Sequence, residues 1–253
     1  MFVSTLLIDT GANPDRPRPG RRWLGNLYRV HQRLCMAFPS RGTRESDPSF
    51  LKPYDPQQFA QGQVHVPRSD GAGFLFRVDP LLGGGAIVVV LSALAPDWDY
   101  AFHNARHLLA AAPDKPRVFQ VAVEARNRFR FRMLANAVSR VSRRSVHPSG
   151  GPVREEWIGK RVGVGGDEKS MRRWIDRRAA SCGFAVDEIT LSQPGYVYIN
   201  NTHQAGPGQR LRSVRYEGLL RVTDADAFRR ALAGGIGPGK AFGFGLLSIA
   251  PAG

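Results

Sequence analysis

The sequence predicts an α+β protein made of two tandem ferredoxin-like (RRM-like) βαββαβ units. Three observations predict it. The chain has 253 residues, enough for two small hydrophobic cores. Read by hydrophobic period, each half runs strand, helix, strand, strand, helix, strand. The join falls near Ala125, between a strand that closes the first set and one that opens the second, giving units 1–125 and 126–253. The repeat is one of structure, since the two halves share no evident sequence self-similarity.

In the first half, "FVSTLLID" (residues 2–9) reads as a mostly apolar strand, and the Pro-, Gly- and Arg-rich residues 11–22 read as a loop. A helix follows, because Leu27, Val30, Leu34 and Phe38 recur at helical spacing, with Asn26 as N-cap and Pro39 as a stop. Residues 41–70 are polar, Pro-rich and irregular. "GFLFRVD" and "AIVVVLSAL" form a strand pair around "PLLGGG", followed by a short helix over residues 97–109 and a strand at "RVFQVAV".

In the second half, "RFRFRMLANA" alternates Arg with Phe, as a strand with one buried face does. Residues 141–166 are rich in Arg, Gly, Ser and Pro and read as mobile. "DEKSMRRWIDRRAASCG" is a helix capped by Asp167, with Met171, Trp174, Ile175 and Ala179 on one face and Gly183 just past its end. Strands follow at "FAVDEITL", "GYVYIN" and "RLRSVRYEGLLRV", then a helix begun by Asp224 and a last strand at "FGFGLLSIA".

Composition narrows the function. Apolar residues at 42% and charged residues at 23% describe an ordinary globular chain. No apolar run reaches the roughly 18 residues that span a bilayer, so no membrane is expected. The N-terminus has no basic segment before its apolar residues, which argues against a secretory signal. Two cysteines without metal or redox spacing suit a reduced, cytoplasmic setting. The net charge of +15, mostly arginine, points to a polyanionic partner, nucleic acid first. Genome composition also raises arginine content, so a merely basic surface is the competing reading.

Three constellations could carry chemistry. Tyr28 and His31, three apart, share a helix face with Cys35 beside the apolar stripe. Histidine moves protons near neutral pH, although spacing alone equally suits a packed ring. The segment "GGIGPGKAFGFG" presents Gly237, Gly239, Lys240, Gly243 and Gly245. It is either a turn or bare backbone that binds phosphate, with Lys240 as a point charge. It lacks Gly-Lys-Ser/Thr and leads into a strand, so it is neither a Walker loop nor a dinucleotide fingerprint, and no nucleotide cofactor is expected. Lastly, Arg128, Arg130 and Arg132 share one strand face. With Lys160, Arg161, Arg172, Arg173, Arg177, Arg178, Arg210, Arg212 and Arg215 they form a candidate phosphate-tracking surface, though any one alone reads as a solvated charge. His103 and His107 stand four apart without completing ligands, so no metal site is expected.

Together these segments resemble the CRISPR-associated Cas6e (CasE, Cse3) endoribonucleases of type I-E systems. "MFVSTLLID" is similar to the family's first strand, and "NLYRVHQRL" to its Tyr-x-x-His helix. "RFRFRMLANA", "GKRVG" and "WIDRRAASCGF" are similar to its central strand, basic loop and helix. The ending "YEGLLRV…GIGPGKAFGFGLLSIAP" is the most specific match. The resemblance runs over nearly the whole chain. Residues 11–22 depart from it by length. "YVYINNTHQ" departs by carrying few basic residues, for which Arg210, Arg212 and Arg215 on the return arm would substitute.

The resemblance implies an enzyme that cuts CRISPR precursor RNA at the base of a repeat stem-loop without metal or cofactor. The ribose 2′-OH attacks the adjacent phosphate, giving a 2′,3′-cyclic phosphate and a 5′-OH. His31 is implied as the proton-transfer residue and Tyr28 as a group that orients or stabilises the reacting centre. The implied partners are the repeat stem-loop, as precursor and as retained mature RNA, and the other subunits of Cascade. The alternative is a non-catalytic RNA-binding subunit of the same assembly.

Overall fold

The structure is a computed structural model, and it describes residues 1–11, 19–38, 73–82, 84–142, 155–199 and 209–252. The expected stop at Pro39 and the polar stretch 41–70 lie outside them. The first unit contains β1 (Phe2–Ile8), α1 (Pro19–Leu24), α2 (Leu27–Cys35), β2 (Phe74–Pro80), β3 (Ala86–Ser92), α3 (Trp98–Phe102) and β4 (Arg117–Val118). Its strands form an antiparallel sheet in the order β2-β3-β1-β4. That is the order expected of a βαββαβ unit. β1 and β3 pair along their full length, from Phe2 opposite Ser92 to Ile8 opposite Ala86.

Three details differ from expectation. Part of the predicted loop at residues 11–22 is helical, because α1 turns Trp23 into the first core. The second helix shrinks to α3 and a 3₁₀ turn at Arg106–Leu108, with Asp97 accepting the Tyr100 N–H at its start. The strand expected at "RVFQVAV" pairs only at Arg117 and Val118. Beyond that point Val121 and Val123 pack on the second core, so apolar burial ends the ladder.

The second unit contains β5 (Arg128–Ala135), β6 (Val138–Arg140), β7 (Arg161–Gly163), α4 (Glu168–Ser181), β8 (Phe184–Ile199), β9 (Gln209–Val222), α5 (Ala225–Gly234) and β10 (Leu247–Pro251). Its antiparallel sheet runs β10-β5-β9-β8, the same order as the first. β6 and β7 pair separately, so the stretch 141–166 read as mobile contains a paired strand and a 3₁₀ turn at Glu155–Trp157, while its residues 143–154 lie outside the described ones. The two strands expected at "FAVDEITL" and "GYVYIN" are one continuous β8. Register shifts at Val186/Glu188 and Ser192/Gly195 let it stay paired with β9.

The helix boundaries follow from local chemistry. Asp167 accepts the Ser170 N–H at 2.8 Å, and Asp224 accepts the N–H groups of Asp226 and Ala227, both at 3.0 Å. Gly183 takes φ +74° just past α4, and a Cβ there would lie 2.3 Å from the Asp224 carbonyl. Met171, Trp174, Ile175 and Ala179 are all buried against the sheet.

A buried arginine links β2, an edge strand of the first sheet, to β5 and β10 of the second. Arg77 of β2 is 5% exposed and pairs with Asp79 at 2.8 Å. Its Nη1 donates to Ser248 Oγ at 2.8 Å and to the Arg132 carbonyl at 3.4 Å. Leu75 and Leu91 of the first sheet share a small core with Leu246 of the second unit.

Candidate active site and nucleic-acid interface

α2 begins where Asn26 accepts the Tyr28 N–H at 3.1 Å. Leu27, Val30 and Leu34 are buried and fix the helix on the first sheet. Tyr28, His31 and Cys35 lie at the half-buried border beside that stripe, as their spacing predicts. The His31 ring stacks on Phe74 at 5.3 Å and 26°, and on Phe76 at 6.4 Å and 22°. Its Nε2 lies 3.6 Å from the Cys35 sulfur. Two aromatic faces and a neighbouring thiol therefore hold the imidazole against β2.

The glycine-rich segment of the second unit docks on this helix. A 3₁₀ turn, Lys240–Phe242, is flanked by Gly239 and Gly243, both left-handed, and touches α2 and β2. Phe242 packs on the first core. A Cβ on Gly243 would meet Phe76 at 3.3 Å and Leu27 at 3.5 Å. A Cβ on Gly245 would lie 2.5 Å from the Ile236 carbonyl. Both residues are buried, so protein packing explains their missing side chains. Gly237, Gly239 and Lys240 are half-buried at the surface of the loop, and the Trp174 indole lies under Gly237. The chain's two ends thus supply one locality: a histidine and a tyrosine on α2, and a lysine on the turn against it.

The arginine set does not form one surface. Arg128, Arg130 and Arg132 point away from the core, with Phe129, Phe131 and Met133 inward. Arg215 and Arg221 share that open sheet face, because their alternates Val214, Tyr216, Leu220 and Val222 are buried. Carboxylates answer part of the charge. Arg128 lies 3.4 Å from Asp187, and Arg132 lies 2.5 Å from Glu217 and 3.8 Å from Asp79. Arg130 has no carboxylate partner among the described residues.

Lys160 directly precedes β7, Arg161 opens it, Arg173 is on α4, and Arg210 and Arg212 lie on the far end of β9. Lys160, Arg161, Arg173 and Arg210 are exposed. Arg210 lies over the Tyr196 ring, 3.8 Å from its centre. Arg172 pairs with Asp176 and donates to the Val186 carbonyl, tying α4 to β8. Arg212 donates to the Val164 and Gly165 carbonyls, anchoring the segment before α4. Arg177 donates to Ser139 Oγ, and Arg178 covers Trp174.

Sequence reasoning missed the junction between the sheets. There a cleft of about 630 Å³ opens between Arg77, Arg130, Arg132, Glu217 and Ser248. Its one sequence signal is an arginine inside the apolar run "FLFRVD". Among the described residues, no group of three or more His, Cys, Asp or Glu side chains is placed to hold a metal ion. Among them, too, no helix is long and apolar enough to cross a membrane.

A family model described as "CRISPR associated protein" matches residues 1–251. The chain belongs to that family. It is 28% identical over 261 residues to the CRISPR-associated endoribonuclease Cse3 of Thermus thermophilus, covering 99% of this chain and 100% of the relative. It is 30% identical over 84 residues to the CRISPR system Cascade subunit CasE of Escherichia coli, covering 33% of this chain and 40% of that one. A solved structure of CRISPR endoribonuclease Cse3 bound to a 19-nucleotide RNA superposes with a TM-score of 0.69 at 26% identity, covering 99% of this chain and 100% of that one. The sequence resemblance to this family and the α+β fold of two ferredoxin-like units are thereby borne out.

Proposed function

We propose that this protein is a CRISPR RNA-processing endoribonuclease that cuts a repeat stem-loop at its base and keeps the product within Cascade. The observation that carries the reading is the docking of the glycine turn on the Tyr28–His31 helix. It occurs in a chain that aligns end to end with an endoribonuclease of its family. The two units divide near Ala125, as residues 1–125 and 126–253, and the protein acts in the cytoplasm.

The reaction is a transesterification. The ribose 2′-oxygen forms a bond to the adjacent phosphorus, and the bond from phosphorus to the 5′-oxygen breaks. One proton leaves the 2′-OH and one reaches the departing 5′-oxygen, so the products are a 2′,3′-cyclic phosphate and a 5′-OH. His31 transfers a proton, a role that typically supplies about 10²–10⁴-fold in rate. Tyr28 orients the nucleophile and the phosphate, and Lys240 stabilises the charge that develops there. The half-buried loop positions Gly237 and Gly239 bring backbone to the RNA. Arg128, Arg130, Arg132, Lys160, Arg161, Arg173 and Arg210 attract it by charge, with Arg172 and Arg212 holding the elements that present them.

The test is incubation of the protein with its cognate repeat RNA in EDTA, followed by analysis of the ends. Cleavage at one position with a 2′,3′-cyclic phosphate on the 5′ fragment is expected. Binding without cleavage would select a non-catalytic RNA-binding subunit instead.

A further inference from the structure

The arm formed by the ends of β8 and β9 carries two exposed aromatic rings that the core does not use. Tyr196 is 48% exposed and Tyr198 is 60% exposed. They lie two apart on β8, so they share a face of the ribbon. The register sets Tyr196 opposite Arg212 and Tyr198 opposite Arg210. The Arg210 guanidinium carbon is 3.8 Å from the centre of the Tyr196 ring and 5.9 Å from that of Tyr198.

The other face of the arm is fixed. Ile199 is buried, and Val197 packs on the first core, the one that seats α2. The exposed rings are therefore mounted rigidly beside the Tyr28–His31 helix. An exposed cation–π pair contributes little to stability, so folding gives no reason for a second open ring next to it.

We propose that Tyr198 is a stacking platform for an unpaired RNA base, with Arg210, held in place by Tyr196, taking the neighbouring phosphate. This rests on the RNA-processing reading above. The base must be unpaired, because bases inside a stem already cover each other's faces and a ring can stack only where one is open. The arm thus selects for single-stranded nucleotides next to the stem, and it does so by stacking where the sequence offers few basic side chains.

The test uses the full chain and two probes. One is an oligoadenylate of about ten nucleotides carrying a 2-aminopurine, and the other is a blunt RNA duplex. Tyr198→Ala is expected to weaken oligoadenylate binding about tenfold and to abolish the quenching of 2-aminopurine. Tyr198→Phe keeps both, and neither variant changes duplex affinity. Arg210→Ala lowers the salt slope by about one. Unchanged oligoadenylate binding by Tyr198→Ala, or an equal loss on the duplex, overturns the platform. So does a parent protein that leaves 2-aminopurine unquenched. Cleavage of repeat RNA by the same preparations separates the two readings. A parent that cuts while Tyr198→Ala matches it on oligoadenylate contradicts the platform alone. A parent that stacks the base through Tyr198 but never cuts contradicts the nuclease alone.

Discussion

The Cys35 sulfur lies 3.6 Å from Nε2 of His31, one turn further along the same helix. Both side chains are half-buried, and the imidazole is held from its other side by Phe74 and Phe76. A bulky group added to this sulfur competes with the ring for the space beside Nε2. Alkylation with N-ethylmaleimide is expected to slow RNA cleavage about a hundredfold, the scale of a lost proton-transfer group. Cys182 is also a half-buried free cysteine, so the experiment is run in a Cys182→Ser background. Cys35→Ser keeps most of the activity and resists the reagent, since a hydroxyl retains both donor and acceptor. Single-turnover cleavage with and without reagent measures this.

Arg77 joins the two sheets through Asp79, Ser248 and the Arg132 carbonyl while 5% exposed. Removing one partner of a buried pair strands the other, and Arg77→Ala is expected to cost about 3 kcal/mol. Arg132→Ala, which removes a pair nearer the surface, should cost under about 1 kcal/mol. Urea titration of the two variants gives the comparison.

Gly245 takes φ +84°, and a Cβ there would sit 2.5 Å from the Ile236 carbonyl. Gly245→Ala is expected to cost about 1–3 kcal/mol and to lower cleavage by shifting the turn that touches α2. Gly234, at the end of α5, has no atom within 4 Å of its Cβ position. Gly234→Ala should be neutral or stabilising by up to about 1 kcal/mol. Thermal melts and cleavage rates of both variants check the contrast.

Burial holds the Tyr216 phenol above the usual tyrosine range, with Arg212 opposing weakly. Its hydroxyl donates to the Met171 carbonyl at 3.2 Å. The folded phenol keeps its proton more tightly than the unfolded one. Its contribution is therefore fully present below about pH 10, the ordinary tyrosine value, and is lost as pH rises above it. Melting temperature should fall in that alkaline range, and Tyr216→Phe should flatten the fall.

Much of the fold was readable because its determinants are local. Asn26, Asp167 and Asp224 each cap a helix within three residues of themselves, and "RFRFR" shows its two faces by alternation. The continuity of β8 was hidden because its register shifts break that alternation. The shortness of β4 was hidden because Val121 and Val123 answer to the other core. The Tyr28–His31–Cys35 stripe was readable from helical spacing. That the Lys240–Phe242 turn docks on this helix, with Gly243 against Leu27 and Phe76, does not follow from periodicity, which carries no information about residues two hundred positions away. The division of the arginines between faces, and the internal anchoring of Arg172 and Arg212, likewise depend on strand partners that composition does not name.

The central claim is that His31 moves a proton in RNA cleavage, and single-turnover cleavage of the cognate repeat RNA by His31→Ala, in EDTA, tests it most directly. The rate is expected to fall by about 10²–10⁴-fold while affinity for the stem-loop changes little. Cleavage at the parent rate by this variant would contradict the account.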